Sequence, residues 1–276
     1  MVVYGVATQT HIGMLFAAGI LPGLIAIAGY VMAVKWSVWR DPKLAPLADD
    51  KEQVNKLALL RALWSVALIF GVVMGGIYGG FFTSIEASGI GATAALVFAL
   101  THHALKLKDI YAILVDTART SAMMFAIILG AALFGEFVNL TGVHEGLLHV
   151  VKESGLPPFG IILLMIVLYI LLGTVLESLS MILLTVPIFF PIILALGYDP
   201  VWFGILVVMV VEIGLITPPI GVNLFVIRSV MPDIPMMTVV RGVIPFIVAD
   251  VLRILLIAAV PAISLWLPNL LFKAAA

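Results

Sequence analysis

The chain has no cysteine, which excludes disulfides, thiolate metal sites and cysteine nucleophiles. Charge is scarce as well: Asp, Glu, Lys and Arg make up 11% of the 276 residues, against about a quarter in soluble domains. The formal net charge is −1, so no positive excess exists to attract nucleic acid. Between Glu153 and Arg228 the only charged residues are Glu177, Asp199 and Glu212. No basic segment follows Met1, and the first long apolar run continues for a full span, so no cleavable signal peptide is read. What is present is apolar: 63% hydrophobic residues and a mean hydropathy of +1.26. Several runs of helical length, with Pro and Gly inside them and no polar–apolar alternation, indicate an all-α polytopic membrane protein rather than a β-barrel.

In chain order, the first span is Ile12–Val34, with a kink expected at Gly19–Gly23. Residues 35–61 carry Lys35, Arg40, Lys43, Lys51, Lys56 and Arg61, so the positive-inside rule places this linker in the cytoplasm. Val54–Leu63 fits either an amphipathic helix along the interface or a solvated linker helix. A second span, Ala62–Ile77, leads to Thr83-x-x-Glu86, which has the form of a capping box. Both residues read as the start of the third span, Ala87–Leu105, or alternatively as a helix N-terminus aimed at an anion. The fourth span is Ser121–Val138. The polar connection 139–158 is expected on the periplasmic side. A last helix is expected over 240–268, where Asp250 and Arg253, three apart on one face, can pair and lower the cost of both in the membrane.

Residues 157–230 organise the rest. The apolar runs Phe159–Leu172, Met181–Leu196 and Val201–Gly214 are each about 12 to 16 residues, roughly 18 to 24 Å, short of the roughly 30 Å hydrocarbon core. Residues 157–196 therefore read as a re-entrant hairpin with its tip at Gly173–Ser180. The segment 200–230 reads as a transmembrane helix interrupted at Thr217-Pro218-Pro219, because proline removes a donor and disfavours helix before it. Unpaired backbone at membrane depth is tolerated where it lines a cavity or binds something, and paired interruptions point to a transporter's binding site. An ordinary helix pair with a proline kink is the plainer alternative. Glu177 and Glu212 read as helix caps or internal hydrogen-bond acceptors, or as groups that couple to ions or protons. Asp199 reads as a turn residue.

Two further patterns bear on organisation. Gly19-Ile20-Leu21-Pro22 matches Gly242-Val243-Ile244-Pro245, and Met14 and Met237 share the same spacing. Residues 1–34 then read as the end of a first structural repeat and 62–276 as a second. No enzyme site is read: His102 and His103 sit at a helix end, and His144 and His149 are spaced poorly for a shared metal.

The segments G-G-I-Y-G-G-F-F-T-S-I-E-A, T-V-P-I-F-F-P-I-I-L-A-L-G-Y-D-P-V-W-F-G and E-I-G-L-I-T-P-P-I-G-V-N-L-F-V resemble the large membrane subunit of TRAP transporters, the DctM-like permeases. A-A-G-I-L-P-G and the final L-W-L-P are similar to that family too. The resemblance covers essentially the whole chain. It implies two inverted repeats moving as an elevator, and import of an organic acid such as a dicarboxylate by symport with sodium. It also implies a small DctQ-like membrane subunit and a periplasmic substrate-binding protein as partners, and the cytoplasmic (inner) membrane of a bacterium or archaeon as the location. No cofactor beyond Na⁺ as coupling ion is implied. Sodium, a hard cation, takes oxygen ligands. The residues expected to hold sodium and substrate are Gly173, Ser178 and Ser180 on the hairpin and Thr217, Pro218, Gly221 and Asn223 on the broken helix, with Thr83, Glu86, Glu177 and Glu212 as coupling or capping residues. The chain departs from the family pattern at Ser84-Ile85 in place of Pro-Thr, at Val210 in place of Asn, and at Glu177 in place of Asp. The family's first hairpin and discontinuous helix have no counterpart, so the sequence resembles the C-terminal portion of a longer subunit. Another inverted-repeat anion/sodium symporter and a non-transporting membrane assembly fragment remain as alternatives.

Overall fold

A computed structural model describes residues 1–42, 56–101, 106–218 and 221–272. The helices in chain order are α1 Val2–Thr8, α2 Ile12–Arg40, α3 Lys56–Tyr78, α4 Ser84–Thr101, α5 Leu107–Thr141, α6 Val143–Glu153, α7 Pro158–Gly173, α8 Ser178–Ala195, α9 Pro200–Gly214, α10 Val222–Val230, α11 Met236–Ala259 and α12 Ala262–Phe272. Among the described residues no strand occurs, and five helices are long and apolar enough to cross a membrane. The chain is an all-α, polytopic membrane protein. Residues 43–55 of the linker, together with His102, His103 and Pro219, lie outside the described residues.

The chain divides into two compact units, residues 1–45 with 127–276, and residues 46–126. In the smaller unit α3 packs on α4, and Trp64 meets Phe98 edge-on with ring centroids 5.4 Å apart. The sequence between them turns at Gly80, whose φ of +70° is a left-handed value that glycine adopts without strain.

The larger unit is built around α9. From Val201 to Gly214 every residue except Val208 and Glu212 is buried, as expected of a helix apolar on all sides. Asp199 caps its start, its Oδ1 accepting the Val201 and Trp202 N–H groups at 2.8 and 3.4 Å, after a turn at Gly197 with φ +79°. Helices α7, α8, α1, α2, α11 and α12 surround it. The Tyr4 hydroxyl donates to the Pro200 carbonyl at 2.7 Å, and its ring lies against Gly204, where an added Cβ would come within 2.5 Å of it. The Trp202 indole donates to the Ile257 carbonyl at 2.9 Å, which fixes α9 to α11. Each buried polar tip thus finds a main-chain partner, which holds the cost of its burial down.

Helices α7 and α8 are joined by Thr174–Glu177 and meet through Tyr169. Thr185 Oγ1 lies 2.8 Å from Tyr169 Oη and 2.6 Å from the Met181 carbonyl. A hydroxyl has one hydrogen, so the threonine donates to the carbonyl and accepts from the phenol.

One expectation needs correction. The last helix, expected over 240–268, is two helices, α11 and α12, divided at Val260–Pro261. The proline ring forces the preceding residue out of the α region, and Val260 has φ −128° and ψ 77°. The polar connection 139–158 contains the end of α5 and the whole of α6. Val143, Leu147, Val150 and Val151 recur at helical spacing there, and Val151 packs against the core. The proline-containing helices α2 and α11 each begin just before the methionines matched in the sequence, Met14 and Met237, and pack against each other.

Candidate functional site

The two interruptions meet. Helix α7 ends at Gly173 and α9 at Gly214, and these glycines lie backbone against backbone. A Cβ built on Gly214 would fall 2.7 Å from the Cα and carbonyl carbon of Gly173 and 2.8 Å from its oxygen. A Cβ on Gly173 would fall 3.2 Å from the Gly214 Cα. Only residues without side chains permit this approach.

Two helix C-termini therefore converge. Each carries about half a negative charge from carbonyls that its helix no longer pairs. On the hairpin, Thr174 N–H bonds back to Ile170, and the Val175 and Leu176 N–H groups both bond back to Leu172. The carbonyls of Gly173, Thr174 and Leu176 accept no hydrogen bond from a described residue. On the broken helix the Leu215, Ile216 and Thr217 N–H groups close tight turns onto Glu212, Ile213 and Gly214. The carbonyls of Ile216, Thr217 and Pro218 likewise accept none from a described residue. Thr174 Oγ1 donates to the Leu171 carbonyl at 2.8 Å and Thr217 Oγ1 to the Ile213 carbonyl at 2.6 Å. Each hydroxyl has spent its hydrogen on its own helix and keeps lone pairs to offer a cation.

The gap in the broken helix is bridged by main chain. Asn223 N–H donates to the Leu215 carbonyl at 3.1 Å, which ties the first turn of α10 to the end of α9. Gly221 precedes α10 with φ +42°, and an added Cβ would lie 2.9 Å from the Leu224 side chain. No side chain caps α10. Gly221 is buried, Thr217 and Pro218 are half-buried, and Asn223 is exposed.

The remaining sequence candidates take these places. Glu177 caps α8, with Oε2 accepting from the Leu179 and Ser180 N–H groups at 3.0 and 3.1 Å; Ser180 Oγ lies 3.4 Å from the same oxygen. Ser178 opens α8 and is half-buried. Thr83 and Glu86, in the smaller unit, form a reciprocal capping box. Thr83 N–H reaches Glu86 Oε2 at 2.8 Å and Glu86 N–H reaches Thr83 Oγ1 at 3.3 Å.

Glu212 belongs to a second constellation. Its Oε2 accepts from Arg253 Nη2 at 3.2 Å, and the same nitrogen lies 2.9 Å from Asp250 Oδ1. The Tyr30 hydroxyl reaches both Asp250 oxygens, at 3.0 and 2.8 Å. The chain of contacts joins α2, α11 and α9, and it holds Glu212 two residues before the contact glycine Gly214. The Asp250–Arg253 pair is legible from its spacing; the reach to Tyr30 and Glu212 is not. Gly214 and Thr174 are the residues that sequence reasoning passed over. Their signal is the glycine that ends a helix at an interruption and the threonine that begins one.

Residues 1–263 match the family described as the tripartite ATP-independent periplasmic transporter, DctM component. The chain is 34% identical over 270 residues to the C4-dicarboxylate TRAP transporter large permease protein DctM of Pseudomonas aeruginosa, covering 98% of this chain and 62% of that protein. It is 35% identical to the sialic acid TRAP transporter large permease protein SiaM of Vibrio cholerae, covering 98% of this chain and 63% of that one. It is 32% identical to the ectoine TRAP transporter large permease protein TeaC of Halomonas elongata, covering 99% of this chain and 64% of that protein. The chain thus spans a little under two thirds of the length of these relatives.

Proposed function

The chain belongs to the DctM component family of tripartite ATP-independent periplasmic transporters, and from that premise we propose that it serves sodium-coupled uptake of an organic acid across the cytoplasmic membrane. The family is one of transport proteins and not of enzymes. The observation that carries the reading is the meeting of two helix C-termini at Gly173 and Gly214, with main-chain oxygens left over on both sides. Oxygens of this kind suit a hard monovalent cation, because they supply partial negative charge without a buried carboxylate.

In this mechanism sodium takes ligands from carbonyls in Gly173–Leu176 and Ile216–Pro218, together with the Thr174 and Thr217 hydroxyl oxygens. Binding tightens the hairpin tip against the broken helix. The uncapped N-terminus of α10, with its partial positive charge, then faces an anion at Gly221–Asn223. Glu177 and Asp199 act as caps that hold α8 and α9 in place. Named relatives of this chain handle C4-dicarboxylates and sialic acid, which supports a carboxylate as the substrate class. The family's description as tripartite and periplasmic supports a small DctQ-like membrane subunit and a periplasmic substrate-binding protein as partners.

Thr217→Ala in a complete transporter carrying this chain is expected to raise the sodium concentration for half-maximal uptake about tenfold, as loss of one ligand to a charged group costs on the order of 1.5 kcal/mol. Thr217→Ser keeps the oxygen and should behave as wild type. Unaltered sodium activation in the alanine variant would remove Thr217 from the site. Orientation has its own test, made simple by the absence of native cysteine. Single cysteines at Lys43 and Lys152 are expected to react with an impermeant maleimide from opposite faces of the membrane; labelling from one face would overturn the assigned topology.

A further inference from the structure

We propose that the groove between α2 and α11 is a binding site for an anionic phospholipid, with its phosphate held by Arg40 and Arg241. Two adjoining cavities form it. One, about 550 Å³, is walled almost entirely by apolar side chains, among them Ile25, Met32, Val248 and Leu252. The other, about 650 Å³, contains Arg40 and Arg241 with Asp41. Trp36 and Pro245 line both, so the cavities lie side by side.

The two ends differ in chemistry along one axis. The helices run in opposite directions, with Arg40 near Arg241 at one end and Gly29 against Ala249 further in. The apolar part follows α2 from Ile25 to Trp36, about 16 Å at the helical rise, which is close to half of the roughly 30 Å hydrocarbon core. That is the depth of one lipid leaflet. The polar end carries Trp36 and Trp39, the aromatic type that settles at the headgroup level. The Arg40 guanidinium lies 5.4 Å from the Trp36 ring centroid, and both residues line the mouth of the groove. Among the described residues that line the mouth, two guanidiniums against one carboxylate leave net positive charge, over a slot shaped for an acyl chain. Guanidinium planes match phosphate oxygens geometrically, and each basic residue near the surface strengthens anionic-lipid binding severalfold. A zwitterionic lipid fills the same slot but gains less from the mouth. The groove residues and the two helix breaks share no side chain, and the one link between them is Arg253, which lines the apolar part and bonds Glu212.

The test is native mass spectrometry of the purified chain titrated with phosphatidylglycerol or phosphatidylethanolamine. Phosphatidylglycerol is expected to bind about tenfold more tightly. The double variant Arg40→Gln/Arg241→Gln should bring the two lipids to equal affinity without losing phosphatidylethanolamine. Leu252→Trp, at an exposed position in the groove wall, should reduce both lipids severalfold. Equal affinity of the wild-type chain for the two lipids, or no change in the arginine double variant, would overturn the proposal. A photoreactive residue at Met32, also exposed in the groove, gives a second readout in intact membranes. Lipid adducts are expected; adducts to a second copy or to another polypeptide would mean that a protein covers the groove, and would also overturn it.

Discussion

Gly214→Ala is expected to reduce sodium-driven uptake at least tenfold at low sodium and to raise the half-saturating sodium concentration by a similar factor. The added methyl would stand 2.7 Å from the Gly173 Cα and carbonyl carbon. These are backbone atoms at a helix end, so no side-chain rotation relieves the clash. The helix ends must move apart, and forcing an extra carbon into such a contact costs on the order of 1–3 kcal/mol. The helix propensity of alanine returns less than about 1 kcal/mol. Separating the ends by even an ångström pulls one set of carbonyls out of reach of an ion held by the other. Gly173→Ala meets the Gly214 Cα at 3.2 Å and should show the same effect in milder form. Gly29→Ala is the control: its Cβ would meet Ala249 at 3.7 Å, an ordinary contact, and uptake should not change. Thermal unfolding in detergent separates loss of the site from loss of the fold. A Gly214→Ala protein that unfolds normally and keeps the wild-type sodium response would show that the glycine contact does not form the ion site.

The largest stability effect is expected at Arg253. Its guanidinium is nearly buried, as is the Asp250 carboxylate it holds at 2.9 Å, with side-chain exposures of 6% and 1%. Arg253→Leu leaves that carboxylate with the Tyr30 hydroxyl alone. Removing one partner of a buried ion pair costs about 3–5 kcal/mol, because the other charge stays desolvated and unpaired. The melting temperature in detergent should fall by on the order of 10 °C. The Glu212 contact adds little to this figure, since the Glu212 side chain is 58% exposed and solvent screens it. Adding Asp250→Leu to Arg253→Leu should restore most of the loss, because the stranded charge is then gone. If the single variant melted like wild type, the ion pair would not be holding α11 in place. If the double variant were no better than the single, the cost would lie in packing and not in charge.

The interruptions at Gly173–Ser180 and Thr217–Gly221 were legible because their causes are local. A proline lacks a donor and its ring crowds the preceding turn; a glycine admits a left-handed backbone; a carboxylate placed just before a helix caps it. The same logic gives Glu177 as a cap and the Thr83–Glu86 capping box, while Asp199, read from the sequence as a turn residue, caps α9 in the structure. Pro261 carried the same kind of signal, and it divides α11 from α12 where a single helix was expected. The pattern in α6 was present too, in apolar residues at helical spacing within a segment judged by its polar content.

The sequence by itself determined that the chain is helical and membrane-embedded and where its helices break, since composition and short-range sterics decide those things. The tertiary structure decided which breaks face each other and which buried charges reach across helices: Gly173 on Gly214, Tyr30 on Asp250, Glu212 on Arg253. The physical reason lies in the solvent. In a soluble protein the apolar stripe of a helix marks the face that packs. In a membrane the lipid-facing and protein-facing sides are both apolar, so helices such as α7 and α9 carry no periodic sign of their neighbours. Their pairing rests on close backbone approach and on a few polar contacts between residues far apart in the chain, and only the folded coordinates bring those together.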